Sequence, residues 1–240
     1  MPMAGAGSRF FKNGYMLPKP LIEIEKRPFF YWATRSVEKF IDISDLTFIV
    51  LKEHITGYSL DKLIYSYFPK AKVVVLPKVT SGSVSTCLEG INGINDDLPL
   101  LFNDCDHLFK CSKMNSLFRV DSGNIDLDGG LVCFKSNIPH FSYIKYDENG
   151  KIIGTAEKQV VSDNAICGAY LYKNAKLFRE IAEEYLRDCP YKESFLSGMY
   201  NVMCSHNMRI KDFLLDYHVE FGTPEEYEKA KGSSYFKELL

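Results

Sequence analysis

The sequence predicts an α/β fold: a mixed, mostly parallel central sheet with helices on both faces, and a smaller strand-rich lobe in its second half. Three observations predict it. Across the first half, short apolar runs of strand length alternate with stretches of helical periodicity, the pattern of parallel strands joined by helical crossovers. The second half carries strand-like runs separated by polar turns. A glycine-containing stretch at the start, Gly5-Ala6-Gly7, leads into the first of the alternating units.

The elements follow in order. Leu21-Ile22-Glu23-Ile24 is a strand-like run, and 28–40 has apolar residues at helical spacing with Pro28 at a tolerated first-turn position. Strands are then predicted at 46–51, 72–76 and 98–102, with helices near 60–68 and 84–91 between them. Strands at 131–134, 141–146, 152–157 and 165–172 follow, and Asp147-Glu148-Asn149-Gly150 is the clearest hairpin signal. Helices at 176–187, ending ahead of Pro190, and at 193–204 close the pattern. No repeat, low-complexity stretch or linker interrupts it. A chain of 240 residues holds one α/β domain with a buried core and is short for two. Residues 1–240 therefore read as one domain in two lobes, about 1–110 and about 111–240.

Composition narrows the function. A formal charge of −2 and a pI near 6.2 argue against a nucleic-acid surface, so any phosphate chemistry must be local. The seven cysteines are scattered with no C-x-x-C pair, which speaks against a disulfide scaffold or structural zinc and for a reduced, cytoplasmic protein. The longest apolar runs fall far below the roughly 18 residues that a membrane span needs, and no cationic leader precedes an apolar stretch.

The chemistry starts in the first twenty residues. Small residues from Ala4 to Ser8 let backbone N–H groups approach an anion, and Arg9 and Lys19, the latter in Pro18-Lys19-Pro20, are placed to neutralise a polyphosphate. This is not a dinucleotide fingerprint, because position 10 is Phe where a third glycine would stand, and no G-x-x-x-x-G-K-[ST] string is present.

From Pro2 to Pro20 the chain resembles the signature of the nucleotidylyltransferases that activate sugar phosphates and related small phosphates, (I/V)-P-(M/L)-A-G-x-G-(S/T)-R-(F/L) followed by P-K-P-L. The resemblance implies a Rossmann-like sheet with a nucleotide-binding first lobe and an acceptor-binding second lobe. It puts Ala4, Gly5, Ala6, Gly7 and Ser8 on the nucleotide and makes Arg9 and Lys19 catalytic. Relatives usually carry more apolar residues ahead of the equivalent of Pro2, as a central strand; here only Met1 precedes it. If the chain as given is the whole protein, reduced stability is expected, since each missing buried aliphatic side chain is worth roughly 1.5–3 kcal/mol. Equal melting midpoints for this chain and an upstream-extended version would contradict that.

Asn103-Asp104-Cys105-Asp106-His107 follows the strand at 98–102, so its carboxylates emerge at the ligand-binding edge of the sheet. Two aspartates there suit Mg²⁺, which is held by one or two carboxylates plus substrate and water. A helix cap or solvated turn is the plainer alternative. By the resemblance Asp106 is the metal ligand, with Asp104 the runner-up. The second ligand falls on Glu220 in Glu220-Phe221-Gly222-Thr223-Pro224-Glu225, where Asp is commoner; the same segment reads as a helix start, with Thr223 capping and Pro224 in the first turn.

Glu157-Lys158, followed by Ser162 and the run 165–172, resembles the family's acceptor-binding E-K-P string, with Gln159 in place of Pro. Gly130 joins Glu157 and Lys158 as an acceptor-side residue. Gly82 and Ser83, in Thr80-Ser81-Gly82-Ser83-Val84, fall where the family's base-reading loop lies. The five histidines form no metal set, and Cys105 reads as a small buried filler because direct transfer needs no nucleophile.

The expectation is a Mg²⁺-dependent transfer of NMP from an NTP to a small phosphorylated acceptor with release of pyrophosphate. CTP and the capsule or surface-polysaccharide branch, which includes cytidylyltransferases for phosphocholine and phosphoglutamine, are favoured. Uridylyl, thymidylyl or guanylyl transfer to a sugar 1-phosphate is the alternative. From other classes, a D-x-D glycosyltransferase using Asp104 and Asp106 and a catalytically silent nucleotide binder stay open. No nucleic acid or membrane partner is expected, and a homo-oligomer is compatible with the sequence.

Overall fold

The computed structural model describes residues 1–119 and 126–240. It is an α/β structure whose packing separates into two compact units. The first comprises Met1–Thr80, Asn103–Lys110 and Tyr217–Leu240; the second comprises Ser81–Phe102 and Cys111–Asp216.

In the first unit, strands Thr47–Leu51 and Lys72–Leu76 pair in parallel, Thr47 opposite Lys72. The chain start lies against the same strand: Pro2 bridges Ile49 in parallel, and the Met3 N–H donates to the Ile49 carbonyl at 2.8 Å. Helix Phe29–Glu38 begins after Pro28 and turns two aromatic faces to two clusters. Phe30 packs with Phe48, Leu60, Ile64 and Phe68, while Phe29 and Trp32 pack with Phe10, Phe221 and Phe236. Trp32 closes its own polar end by donating Nε1–H to the Ile24 carbonyl at 2.8 Å.

The predicted strand at 21–24 is shorter than its hydrophobicity suggests. Lys19–Leu21 is a 3₁₀ turn, and only Glu23–Ile24 is extended, paired with Arg27–Pro28. Pro18 and Pro20 fix the backbone and supply no N–H for a ladder. Three strands of four or five residues were not foreseen: Ile210–Leu214, and the pair His107–Lys110 and Tyr217–Glu220, which run antiparallel with Glu220 opposite His107.

The second unit is built on a six-stranded mixed sheet. Ile210–Leu214 runs parallel to Gly129–Lys135, which pairs antiparallel with Asn164–Tyr172; Ser142–Tyr146 and then Ile152–Glu157 continue the order, and Leu100–Asn103 also pairs with Asn164–Tyr172. The predicted turn at 147–150 is the hairpin between Ser142–Tyr146 and Ile152–Glu157, with Gly150 at φ 78. Helices Ser83–Gly90, Ala175–Arg187 and Leu196–Ser205 share one core with the sheet, in which Phe178, Tyr172, Tyr200 and Leu131 are fully buried. Among the described residues no helix is long and apolar enough to cross a membrane.

Candidate active site

The glycine-containing stretch of the first unit becomes a loop closed by a short helix, Ser8–Lys12. Gly7 sits at φ 59, a left-handed conformation that favours glycine. The next turn is anchored from inside: Phe10 is buried and meets Tyr15, Phe29 and Tyr227 edge-on at 5.1–6.3 Å. With Phe10 held, Gly5, Ala6, Ser8 and Arg9 stay exposed, whereas Ala4 is buried with Ile49, Leu51 and Leu76.

Lys19 Nζ meets Asp106 Oδ2 at 2.8 Å, joining residues from distant parts of the sequence. Burial works to lower the Lys19 pKa, but Asp106, Cys105 and Asp104 outweigh it, so the ammonium is held above its ordinary range. Burial likewise favours neutral Asp106, yet Lys19, with smaller help from His107 and Arg9, holds the carboxyl below its usual range. The pair thus favours the ammonium on Lys19 and the carboxylate on Asp106.

The pairing of His107–Lys110 with Tyr217–Glu220 brings the third segment in. The Phe221 N–H donates to the Asp106 carbonyl at 3.0 Å, and Gly222 passes so close that a Cβ there would stand 2.5 Å from Asp106 Oδ2. The capping box expected at Thr223 is present: Glu226 N–H donates to Thr223 Oγ1 at 3.2 Å, and Glu226 Oε2 accepts from Thr223 N–H at 2.9 Å and Gly222 N–H at 3.0 Å. Helix Pro224–Ala230 therefore fixes the glycine that roofs Asp106. Glu220 follows one strand residue behind, with its Oε1 3.4 Å from His218 Nδ1.

A buried polar chain stands behind these carboxylates. Asn103 Nδ2 donates to the Ala33 carbonyl at 2.9 Å, so its Oδ1 is the acceptor for His107 Nε2 at 2.9 Å; His218 Nε2 lies 3.4 Å from His107 Nδ1. Burial pushes the His218 imidazole down to about 3, against the pull of Asp106 and Glu226. A histidine with a folded pKa below its unfolded 6.5 binds fewer protons when folded, so stability falls as pH drops through 6.5 and keeps falling to about 3. Between pH 7 and pH 5 this residue alone should remove about 2 kcal/mol of unfolding free energy. Denaturant melts at the two pH values check this, and His218→Gln should flatten the difference.

The remaining predicted residues lie in the second unit. Glu157 ends its strand opposite Ser142, whose hydroxyl donates to Glu157 Oε2; Ser197 Oγ donates to the same oxygen at 3.2 Å. That leaves Glu157 Oε1 with Lys158 Nζ at 4.0 Å. Lys158 occupies a left-handed φ of 53, which turns its side chain over the Phe195 ring at 5.3 Å. Gly82 backs onto Ser194, where a Cβ would stand 2.5 Å from Ser194 Oγ and 2.6 Å from its carbonyl oxygen. Gly130 is in the buried sheet, with a Cβ position 2.8 Å from Phe213. Close packing accounts for both glycines.

Lys19 and Asp106 thus meet in the first unit, with Asp104 contributing charge to Lys19, and Glu220 lies in the same unit beside His218; Gly82, Ser83, Glu157, Lys158 and Gly130 belong to the second. Sequence reasoning missed Ser142, Ser197, Gly222 and His218. Only Gly222 had a visible signal, a glycine directly before the Thr223-Pro224 helix start. Among the described residues no three His, Cys, Asp or Glu side chains are grouped to hold a metal ion. The carboxylate oxygens of Asp106 and Glu220 are donors of the kind a hard cation takes, completed by substrate oxygens, with Asp106 Oδ2 already paired to Lys19.

No protein-family model and no curated protein matches the chain. Solved structures do. A nucleoside-diphosphate-sugar pyrophosphorylase from Vibrio cholerae RC9 superposes with a TM-score of 0.81 at 24% identity, over 96% of this chain and 99% of that one. The inositol-1-phosphate CTP transferase from T. maritima gives 0.75 at 15% identity, over 99% and 92%. A protein assigned as a glucose-1-phosphate thymidylyltransferase from Bacillus anthracis, in complex with sucrose, gives 0.75 at 18% identity, over 95% and 91%. At these identities the likeness is one of fold: the chain is similar to all three along nearly its whole length.

Proposed function

We propose that the protein is a nucleotidylyltransferase: a phosphate oxygen of a small acceptor attacks the α-phosphorus of a nucleoside triphosphate, the new P–O bond forms as the α–β bond breaks, and pyrophosphate leaves. The observation that carries this reading is the 2.8 Å pair of Lys19 and Asp106 beneath Gly222, in a unit that also exposes Arg9 on an anchored glycine loop. In the first unit, backbone groups of residues 4–8 bind the triphosphate and Arg9 neutralises the departing pyrophosphate. Lys19, paired with Asp106, neutralises charge around the α-phosphate. Asp106 and Glu220 would hold a divalent cation, Mg²⁺ by the chemistry of the donors, with Asp104 the alternative carboxylate. When bound, the cation neutralises phosphate oxygens. In the second unit, the backbone of Gly82 and Ser83 belongs to the base side, and Glu157, Lys158 and Gly130 to the acceptor side.

CTP is the proposed nucleotide and a phosphorylated non-sugar alcohol of capsule or surface-polysaccharide synthesis the proposed acceptor class; similarity to a CTP transferase over 99% of this chain supports the first. A sugar 1-phosphate is the second reading, favoured by similarity to a nucleoside-diphosphate-sugar pyrophosphorylase over 96% of the chain. Pyrophosphate release with Mg²⁺, crossing CTP, UTP, dTTP, ATP and GTP against phosphocholine, phosphoglutamine, inositol 1-phosphate, glucose 1-phosphate and mannose 1-phosphate, tests both. Release with CTP and a non-sugar phosphate is expected; release only with a sugar phosphate would replace the first reading by the second.

A further inference from the structure

Helix Leu196–Ser205 starts without a cap of its own, because its N-cap residue is Phe195, which has no side-chain acceptor. The Leu196 N–H is satisfied from elsewhere: it donates to Ser83 Oγ at 3.1 Å, and Ser83 Oγ donates to the Ser194 carbonyl at 3.1 Å. The backbone reinforces the junction. Ser194 N–H donates to the Ser81 carbonyl at 3.2 Å, Val84 N–H donates to the Ser194 carbonyl at 3.0 Å, and Gly82 lies against Ser194 with no room for a Cβ. The Ser83 hydroxyl is therefore committed to the 194–196 turn.

The same turn holds the acceptor-side carboxylate. Ser197, buried, donates from Oγ to Glu157 Oε2, and its carbonyl accepts from Thr155 Oγ1 at 2.7 Å. One turn further on, Asn201 Oδ1 accepts from Thr155 N–H at 2.8 Å. Ser142 donates to the same Glu157 oxygen from the neighbouring strand. Each serine has one hydrogen to give. With both directed at Oε2, that oxygen is occupied and Oε1 is the one turned to Lys158.

We propose that Ser83 is a positioning residue for the acceptor side: by capping helix Leu196–Ser205 it fixes Ser197, and Ser197 fixes the Glu157 carboxylate, so that residues 81–83 and Glu157 stand in one frame. The inference rests on the reading of Glu157 as an acceptor contact, but its geometric part is testable without any substrate. In Ser83→Ala protein, hydrogen–deuterium exchange should rise about fivefold to tenfold in strand Ile152–Glu157, which Ser83 does not touch, the effect of losing about one hydrogen bond. Ser83→Thr should restore slow exchange. Where Ser83→Ala does not fold, Ser197→Ala read in reverse serves, with faster exchange expected in helix Ser83–Gly90.

With substrates, Ser83→Ala and Ser197→Ala should each raise the acceptor KM several-fold more than the nucleotide KM, and the double variant should fall short of their product, because both act through one turn. Exchange that rises only near Leu196 and stays unchanged in Ile152–Glu157, or KM effects that multiply, overturns the proposal. A Glu157→Gln protein with an unchanged acceptor KM would overturn the underlying reading of Glu157 while leaving the exchange result to stand or fall separately.

Discussion

Asp106→Asn is expected to lower turnover by about 10²-fold or more, the usual cost of removing one preorganised electrostatic group from a transfer site. The substitution keeps the shape of the side chain and the Asp106 carbonyl that accepts from Phe221 N–H at 3.0 Å. It removes the negative charge paired with Lys19 and the oxygen donor proposed for the cation. The stability cost should be small by comparison, about 1 kcal/mol or less, because Lys19 is 27% exposed and regains water when its partner is neutral. Lys19→Met should lose a similar factor, and the double variant should be little worse than either single one, since the two act as a unit. Steady-state rates beside melting midpoints make the comparison. Normal turnover in Asp106→Asn protein would remove the cation assignment.

The second large effect belongs to Gly222→Ala. One methyl group at 2.5 Å from Asp106 Oδ2 and 3.3 Å from its Cγ cannot be accommodated without moving the carboxylate or the turn that carries Gly222. Overpacking of this kind costs about 1–3 kcal/mol, and displacing a catalytic group by about 1 Å costs on the order of 10² in rate. Gly57→Ala is the matched control: it lies within helix Lys52–Tyr58, and a Cβ there meets nothing within 4 Å. That change should leave activity intact and stability equal or slightly raised. Equal effects of the two substitutions would mean that Gly222 has no special relation to Asp106.

Most of the fold was legible because periodicity and length report local structure. Strands Lys72–Leu76 and Ile152–Glu157 stand where their patterns put them, and helix Ala175–Arg187 starts one residue earlier than its periodicity indicated, where Asn174 caps it. What local pattern does not report is pairing between short segments far apart. The strands His107–Lys110 and Tyr217–Glu220 are too short to show a period, and each is specified by the other. The resemblance had already joined Asp106 with the segment from Glu220, but the close contact of Gly222 with Asp106 that this pairing makes was invisible until the chain was folded. Lys19 was recognisable from its prolines, but its partner was not. Ser142 and Ser197 were illegible for another reason: serine is common, and only burial next to Glu157 distinguishes these two.

The most direct test of the account is phosphorus NMR of the folded protein with Mg²⁺ and CTP, run against each candidate acceptor in turn. The account predicts one pyrophosphate and one new diphosphate-linked product for every CTP consumed, with the acceptor's phosphate monoester signal lost in step. CDP and inorganic phosphate in place of pyrophosphate, or CTP bound but unconsumed with every acceptor, would contradict nucleotidyl transfer.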